Sequence, residues 1–235
     1  MPKQREMLKI GPLEALEAPG QPGGPTIICL HGYGASAYDL YPLHHEMQAP
    51  PGTRWIFPNG HLKVPIGMHV YGRAWFPIDI EALEQAQKMG THRDLSVTTP
   101  PGVKDAREKI QELIAELKIP FSQTILMGFS QGAMLATSIT LYAKENPKGL
   151  VLMSGALLDG KNWAEKAKAH AGLTFYQSHG EHDEILSIQG GRQLEKVLQD
   201  GGLKGKLQTF SGGHDIPLEV LHGASNYLKG LFRQH

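Results

Sequence analysis

The amino-acid sequence predicts an α/β fold with a mostly parallel central sheet and helices on both of its faces. Strand-like and helix-like segments alternate along most of the chain, and this alternation is typical of parallel sheets. The strand-like segments are apolar throughout, as in Thr26–Leu30, which is expected of strands covered by helices on both faces. At 235 residues, the chain suits a single domain spanning residues 1–235.

The N-terminal third carries the weakest pattern. Residues 1–24 are rich in Gly and Pro, so we expect a loosely structured segment with an edge strand over residues 6–10. Two apolar strands follow at 26–30 and 54–57. The segment 61–99 has no regular period, and we expect it to be an irregular insertion near the substrate cleft.

Helices and strands alternate regularly after residue 100. One helical face is formed by Val103, Ile110, Leu113, Ile114 and Leu117, and Pro100 and Pro101 fit the first turn of that helix. The remaining predicted elements are strand 124–128, helix 131–145, strand 149–153, helix 161–170, strand 173–178, helix 190–200, strand 206–210 and a final helix from near Pro217.

Composition and charge exclude several classes of partner. The chain has 23 basic and 23 acidic residues and no long run of one sign, so we expect neither nucleic acid nor an anionic membrane as a partner. No apolar stretch reaches the length of a membrane span, and the N-terminus lacks the apolar core of a signal peptide, so no stable membrane insertion is expected. The single cysteine, Cys29, lies in an apolar run and fits a buried thiol in a reducing cytoplasm. A homodimer is compatible with the sequence.

A nucleophile motif lies at the predicted junction of strand 124–128 and helix 131–145. The chain reads Gly-Phe-Ser-Gln-Gly over residues 128–132, which matches the pattern G-x-S-x-G. A tight strand-to-helix turn of this kind lifts a serine hydroxyl clear of the sheet edge, and glycines flank it because Cβ atoms would clash there. The motif therefore predicts that Ser130 is a catalytic nucleophile.

A serine nucleophile needs a general base and an acid that orients the base. Asp183 follows strand 173–178 and His214 follows strand 206–210, so both lie at the carboxyl edge of the sheet, in the order that this fold class uses. Glu181 and Glu184 share the loop of Asp183 and compete with it for the role of the acid. Asp215 adjoins His214 and is better interpreted as an N-cap for the last helix.

The tetrahedral intermediate of acyl transfer also needs hydrogen-bond donors for its oxyanion. We expect one donor to be the backbone N–H of Gln131, which lies in the first turn of a helix. We assign the second to the backbone N–H of Tyr33, because Gly32 and Gly34 allow that loop to turn its N–H groups inward. No metal-ligand spacing is present, and this mechanism needs no metal or organic cofactor.

Together these motifs resemble the α/β-hydrolase superfamily, and within it the phospholipase/carboxylesterase family that includes acyl-protein thioesterases. The resembling strings are L-H-G-Y-G at 30–34, A-W-F at 74–76, G-F-S-Q-G-A at 128–133, H-G-E-H-D at 179–183 and G-H at 213–214. The resemblance implies an α/β-hydrolase fold without a large cap domain. It also implies a triad of Ser130, Asp183 and His214.

The predicted activity is hydrolysis of a small-molecule ester or thioester through an acyl-serine intermediate. We expect a carboxylesterase for short-to-medium acyl chains, and residues suited to line the acyl site are Trp75, Phe76, Met68, Leu186 and Ile216. The alternative is acyl-protein thioesterase or lysophospholipase activity on longer chains. A peptidase or an acyltransferase would use the same triad, whereas a binding protein on this scaffold would be expected to lose one of its members.

Overall fold

Eight strands form one sheet at the centre of the computed structural model, which describes residues 6–232 except 80, 81, 83, 84, 86, 87, 90 and 98. The strands are β1 (Leu8–Ile10), β2 (Leu13–Ala18), β3 (Thr26–Leu30), β4 (Arg54–Pro58), β7 (Thr124–Phe129), β8 (Gly149–Met153), β9 (Thr174–Gly180) and β10 (Lys204–Phe210). Two further strands, β5 (Leu62–Gly67) and β6 (Val70–Ala74), form a separate antiparallel hairpin.

The sheet order is β1-β2-β4-β3-β7-β8-β9-β10. All pairs from β4 to β10 are parallel, whereas β1 and β2 are antiparallel to their neighbours. The mostly parallel sheet predicted from the alternating pattern is therefore confirmed. Its carboxyl edge brings together the loops that follow β3, β7, β9 and β10.

Helices cover both faces of the sheet. They are α1 (Ala37–Leu40), α2 (Leu43–Glu46), α3 (Val103–Glu116), α4 (Gln131–Leu141), α5 (Gly160–Ala167), α6 (Ile188–Asp200) and α7 (Leu218–Gly230), and short 3-10 turns lie at Phe121–Gln123 and Lys168–His170. Among the described residues, no helix is both long enough and apolar enough to span a membrane.

The two faces of β3 show why its sequence is apolar at every position. Ile28 and Leu30 pack into the core beneath α3 and α4, whereas Ile27 and Cys29 pack into the opposite core beneath α7. All four side chains are at most 1% exposed. A strand buried on both faces has no polar alternation, because successive side chains point to opposite cores.

The N-terminal segment is more regular than its Gly and Pro content indicated. Instead of loose structure up to residue 24, β2 occupies Leu13–Ala18 and pairs with β4 along four residue pairs. Leu13 and Leu16 are buried in opposite cores, and this burial holds the strand on the sheet. Because glycines and prolines flank this six-residue strand, the sequence pattern did not indicate it.

The segment 61–99 contains a regular element that its sequence did not indicate. Residues 62–74 form the β5–β6 hairpin, whose register shifts between Pro65 and Gly67. Proline and glycine inside a strand disrupt the period-2 pattern, so sequence reasoning interpreted the hairpin as irregular. Several residues later in the segment line the main cleft of the protein, as described below.

Candidate active site

Ser130 occupies a strained turn between β7 and α4. Its backbone has φ 54° and ψ −118°, a conformation that non-glycine residues seldom adopt. The Ser130 N–H donates to the carbonyl of Met153 at 2.8 Å, which ties the turn to the neighbouring strand β8. The turn therefore has the geometry of a nucleophile elbow.

The glycines on either side of Ser130 are required by close backbone approaches. A Cβ atom on Gly132 would lie 2.0 Å from the carbonyl oxygen of Leu30, and one on Gly128 would lie 2.3 Å from Gly132. Helix α4, which starts at Gln131, can therefore pack directly against the end of β3. This packing sets the distance between the elbow and the loop that follows β3.

Asp183 and His214 are hydrogen-bonded to each other. The Nδ1 atom of His214 lies 2.6 Å from Oδ2 of Asp183, and Oδ1 of Asp183 accepts the N–H groups of Ile185 and Leu186, each at 2.9 Å. Since the carboxylate accepts at Nδ1, the Nδ1–H tautomer is assigned to His214, and Nε2 remains as the basic nitrogen. The His214 ring packs against Phe129, the neighbour of Ser130, with ring centroids 4.8 Å apart.

The Asp183 carboxyl is ionised at neutral pH. Burial by itself would raise its pKa. Hydrogen bonds from two imidazoles and from the Leu186 N–H together lower the pKa by more than burial raises it, so the pKa lies well below its usual range. One imidazole is His214 and the other is His179, whose Nε2 lies 3.3 Å from Oδ2 of Asp183. A fixed negative charge thus faces Nδ1 of His214.

The other acidic residues near Asp183 or His214 in the sequence, which compete with Asp183 for the role of the acid, have other hydrogen-bond partners or are exposed. Glu181 is exposed and accepts a hydrogen bond from the hydroxyl of Thr209 at 2.9 Å, and Glu184 is also exposed. Asp215 accepts the N–H of Ile216 and does not cap the last helix as expected, because Pro217 occupies the N-cap position of α7. Among the described acidic residues, Asp183 is the hydrogen-bond partner of His214.

The loop after β3 presents an unpaired N–H group at Tyr33. No described residue accepts the Tyr33 N–H, whereas Gly34 donates to Arg73 at 2.8 Å and Ala35 donates to Gly32 at 3.3 Å. His31 fixes this loop from below: its Nδ1 donates to the Gly32 carbonyl at 2.7 Å and its Nε2 accepts the Gly60 N–H at 2.9 Å.

Gln131 connects the elbow to the aromatic pair at 75–76. Its side chain is buried, and its amide oxygen accepts the Trp75 N–H at 2.9 Å while its amide nitrogen donates to the Phe76 carbonyl at 2.7 Å. Its backbone N–H lies in the first turn of α4, where helix geometry leaves N–H groups unpaired. Sequence reasoning assigned only the backbone of Gln131 and missed the function of its side chain.

A cleft of about 680 Å³ opens above these residues. Its lining includes Tyr33, Ser130, Gln131 and His214, and its walls are largely apolar. The apolar lining includes Phe76, Ile78, Leu95, Met134, Leu158 and Leu186. Its volume lies within the roughly 300–1,000 Å³ of typical small-molecule sites.

The five residues predicted to line the acyl site have different locations. Phe76 and Leu186 do line the cleft. Trp75 is fully buried in the core and donates from Nε1 to the carbonyl of His31 at 2.8 Å. Met68 lies at the tip of the β5–β6 hairpin with 88% of its surface exposed, and Ile216 packs beneath α7. These three are not among the described residues that line the cleft.

Trp75 and Met68 could not be placed from sequence because an aromatic or Met side chain in an irregular segment suits a core, a pocket or a surface equally well. His179 shapes the loop of Asp183, because its Nε2 donates to the Leu186 carbonyl at 2.8 Å and lies 3.3 Å from Oδ2 of Asp183. Among the described residues, no group of three His, Cys, Asp or Glu side chains is placed to hold a metal ion.

Comparison with known proteins identifies similar chains. A family model described as phospholipase/carboxylesterase matches residues 12–232. Acyl-protein thioesterase 1 of Eremothecium gossypii is 25% identical over 225 residues, which cover 91% of this chain and 91% of that protein. Acyl-protein thioesterase 1 homolog 1 of Dictyostelium discoideum is 27% identical over 83% of this chain and 85% of its own length.

Solved structures with the same fold include two esterases. The crystal structure of esterase PE8 superposes with a TM-score of 0.76 at 26% identity and covers 94% of this chain and 99% of that chain. A carboxylesterase from Mesorhizobium loti has a TM-score of 0.73 at 17% identity, with 96% of this chain and 98% of that chain covered, which shows the fold alone.

Proposed function

Because the chain belongs to the phospholipase/carboxylesterase family, and is thus a hydrolase of carboxylic ester or thioester bonds, we propose that it acts through a triad of Ser130, Asp183 and His214. The observation that carries this proposal is the 2.6 Å hydrogen bond from His214 to the ionised Asp183, next to a strained serine on the same cleft. We also propose the backbone N–H groups of Tyr33 and Gln131 as the oxyanion donors.

In the first half of the reaction, Nε2 of His214 takes the proton from Ser130 as Oγ attacks the acyl carbon of the substrate. The carbonyl oxygen becomes an oxyanion and accepts the N–H groups of Tyr33 and Gln131. The Asp183 carboxylate stabilises the imidazolium that forms. His214 then gives its proton to the leaving alcohol or thiol, and the acyl group remains on Ser130.

In the second half, water replaces the leaving group. His214 removes a proton from the water as it attacks the acyl carbon, and the same two N–H groups hold the second oxyanion. Collapse of this intermediate returns the proton to Oγ of Ser130 and releases the carboxylic acid. In this scheme the side chains that perform these steps are those of Ser130, Asp183 and His214.

We propose esters with short-to-medium acyl chains as substrates. The cleft has apolar walls suited to an acyl group, formed in part by Leu95, Leu158 and Met134. Thioester hydrolysis is the second candidate, because the relatives from Eremothecium gossypii and Dictyostelium discoideum are named acyl-protein thioesterases. We place the reaction in the cytoplasm, a reducing compartment in keeping with the buried free thiol of Cys29.

The variant Ser130→Ala tests the nucleophile. We expect it to lose nearly all turnover of a p-nitrophenyl ester and all labelling by a fluorophosphonate probe, because the attacking oxygen is gone. Circular dichroism should show an unchanged fold. Turnover near the wild-type rate in this variant would exclude Ser130 as the nucleophile.

A rate series from acetyl to palmitoyl p-nitrophenyl esters tests the acyl length. We expect kcat/KM to reach its maximum at a short or medium chain, since the volume of the cleft is limited to about 680 Å³. Matched thioesters of the best chain measure the second candidate. A maximum at palmitoyl contradicts the short-to-medium assignment.

A further inference from the structure

One wall of the cleft is an irregular segment that precedes helix α3 in the chain, which we call the strap. We define the strap as residues 91–97 and 99–101. Its cleft-lining residues are Arg93, Asp94, Leu95, Val97, Thr99, Pro100 and Pro101. Neither a strand nor a helix includes these residues, so the strap receives no ladder or helical hydrogen bonds that would fix its position.

Packing alone does not hold the strap. A second cavity of about 210 Å³ lies behind it, against the start of α6, and Arg93, Asp94 and Leu95 line both cavities. The strap is therefore a thin wall with open space on both sides along this stretch. Apart from Leu95, which packs against the core beneath α3 and α4, such a wall depends on specific anchoring contacts to keep its position.

Contacts between described residues anchor the strap at several points, among them three hydrogen bonds and an ion pair between Arg93 and Asp79 at 3.8 Å. Nε2 of His92 donates to the Asp183 carbonyl at 3.1 Å, which ties one end to the loop of the acid. In the middle, the Gly160 N–H donates to the Ser96 carbonyl at 2.7 Å. Beyond it, the Thr99 hydroxyl donates to Oδ2 of Asp159.

The burial and the backbone conformation of Asp159 suit it to hold the strap in place. It is buried, with 8% of its surface exposed, and its backbone is left-handed at φ 42°. The carboxylate accepts two hydrogen bonds from Nδ2 of Asn162, at 2.9 and 2.8 Å, in addition to that of Thr99. Within the described part of the chain its side-chain donors are thus neutral, and such a buried carboxylate depends on each of them.

The neighbours of Asp159 show what the anchor controls. Leu158 lines the cleft on one side of it, and Gly160 on the other side donates to the strap. Asp159 itself is not among the described residues that line the cleft. A single turn at 158–160 therefore fixes a cleft wall and the strap that faces the same cleft.

We propose that Asp159 is a specificity-determining residue, which fixes the strap through Thr99 and thereby limits the length of acyl group that the cleft accepts. This inference rests on the proposed function, because it concerns the acyl site of the same reaction. Asp159 acts through the strap and touches neither the reacting atoms nor Ser130. It should therefore affect the choice of substrate more than the chemical step.

Two variants that remove the same hydrogen bond from opposite sides test the proposal. Thr99→Val keeps the shape of the side chain and removes the hydroxyl donor. Asp159→Ala removes both acceptor oxygens of the carboxylate, and Asp159 is not among the described residues that line the cleft. Ser96→Ala is the matched control, because it also removes a hydroxyl-to-carboxylate hydrogen bond, 2.6 Å from Ser96 to Asp94, but both of its partners belong to the strap.

The measurement is kcat and KM over p-nitrophenyl esters from acetyl to palmitoyl, with thermal melting to verify folding. We define selectivity as kcat/KM for the best chain of the wild type divided by that for its worst chain. We expect both anchor variants to lower selectivity about 10-fold or more through KM, as contacts with one or two methylenes do. Asp159→Ala, which does not alter the cleft lining, should keep kcat for the acetyl ester within about 2-fold. Ser96→Ala should keep the wild-type selectivity.

The outcomes separate this inference from the proposed function. Wild-type selectivity in Thr99→Val overturns the role of the anchor even if Asp159→Ala does not fold. A change in Thr99→Val with none in a folded Asp159→Ala also overturns it, because the effect then comes from the cleft lining itself. An equal loss in Ser96→Ala overturns it as well. A wild-type protein that hydrolyses none of the esters overturns the proposed function, and this inference with it.

Discussion

At the scale of single residues, the most informative feature is the backbone of Ser130. A left-handed φ of 54° costs a serine free energy that a glycine does not lose. The turn is held in place by the Met153 carbonyl and by the close approach of Gly132 to Leu30. The surrounding structure therefore imposes a conformation that raises the hydroxyl above the sheet edge.

This strain predicts a stability difference between two inactive variants. Both Ser130→Gly and Ser130→Ala lack the hydroxyl, but only glycine adopts this φ without strain. We expect Ser130→Gly to be more stable by about 1 kcal/mol, and to melt roughly 2–4 °C higher. Urea unfolding of the pair measures the difference. Equal stability, or a less stable glycine variant, would show that the elbow is relaxed.

The sequence predicted the positions of Ser130, Asp183 and His214 because each follows a strand, and parallel strands bring their carboxyl ends to one edge. It could not predict the second imidazole on Asp183. His179 is the penultimate residue of strand β9 and its side chain is buried, and only the three-dimensional path of residues 180–186 brings the carboxylate back to it.

At the scale of elements, the contact between helix α4 and strand β3 sets the geometry of the site. Gly132 touches the backbone of Leu30, and Leu30 precedes the loop that carries the proposed oxyanion donor Tyr33. The helix and the loop thus approach as closely as two backbones can. Any side chain between them would separate the two proposed donors.

Gly132→Ala tests this contact. Its Cβ would lie 2.0 Å from the carbonyl oxygen of Leu30, so we expect a loss of about 3 kcal/mol or more in the free energy of unfolding. Gly230→Ala is the control, because nothing lies within 4 Å of its Cβ and helix α7 should gain up to about 1 kcal/mol. Denaturant unfolding compares them, and a similar small effect in both would contradict the close approach.

The elements themselves were predicted unevenly. The strand Gly149–Met153 has the predicted bounds, because an apolar run between turn residues can only be a buried strand of that length. Helix α4 ends at Leu141 instead of residue 145, and the hairpin at 62–74 was not predicted at all. Hairpins that contain Pro65, Gly67 and Gly72 form through pairing that local periodicity does not show.

At the scale of the whole molecule, the sheet separates two hydrophobic cores. Titratable groups that are buried in the fold make the free energy of unfolding depend on pH. His31 is one such group. Burial lowers its pKa from the ordinary value of 6.5 to about 4, although its hydrogen bond to the Gly32 carbonyl opposes the shift. The folded protein therefore keeps His31 neutral at pH values where the unfolded chain binds a proton.

This linkage predicts acid sensitivity between pH 6.5 and 4. The unfolded state binds more protons in this window, so stability falls as pH falls, by about 3 kcal/mol in total from His31. Above pH 6.5 the contribution is constant. Asp183 has a lowered pKa, so its stabilisation is present above its ordinary pKa and is lost only below this window.

The variant His31→Gln isolates the effect, since it can still accept the Gly60 N–H but does not titrate. Unfolding free energies measured from pH 4 to 7 should show a slope shallower than that of the wild type by about one proton at mid-window. The remaining slope belongs to other groups, including His170, whose pKa is also lowered by burial. Parallel slopes in the two proteins would show that His31 titrates normally in the fold.

For protein engineering, Gln131 separates the part of the cleft that is tied to the nucleophile turn from the part that is not. Its amide joins the turn of the nucleophile to the backbone of Trp75 and Phe76, so a change there disturbs the aromatic wall and the elbow together. The strap, in contrast, meets the loop of Asp183 through the imidazole of His92, which donates to the Asp183 carbonyl. A mutant library aimed at new acyl preferences should therefore be randomised over 93–101 and left constant at Gln131.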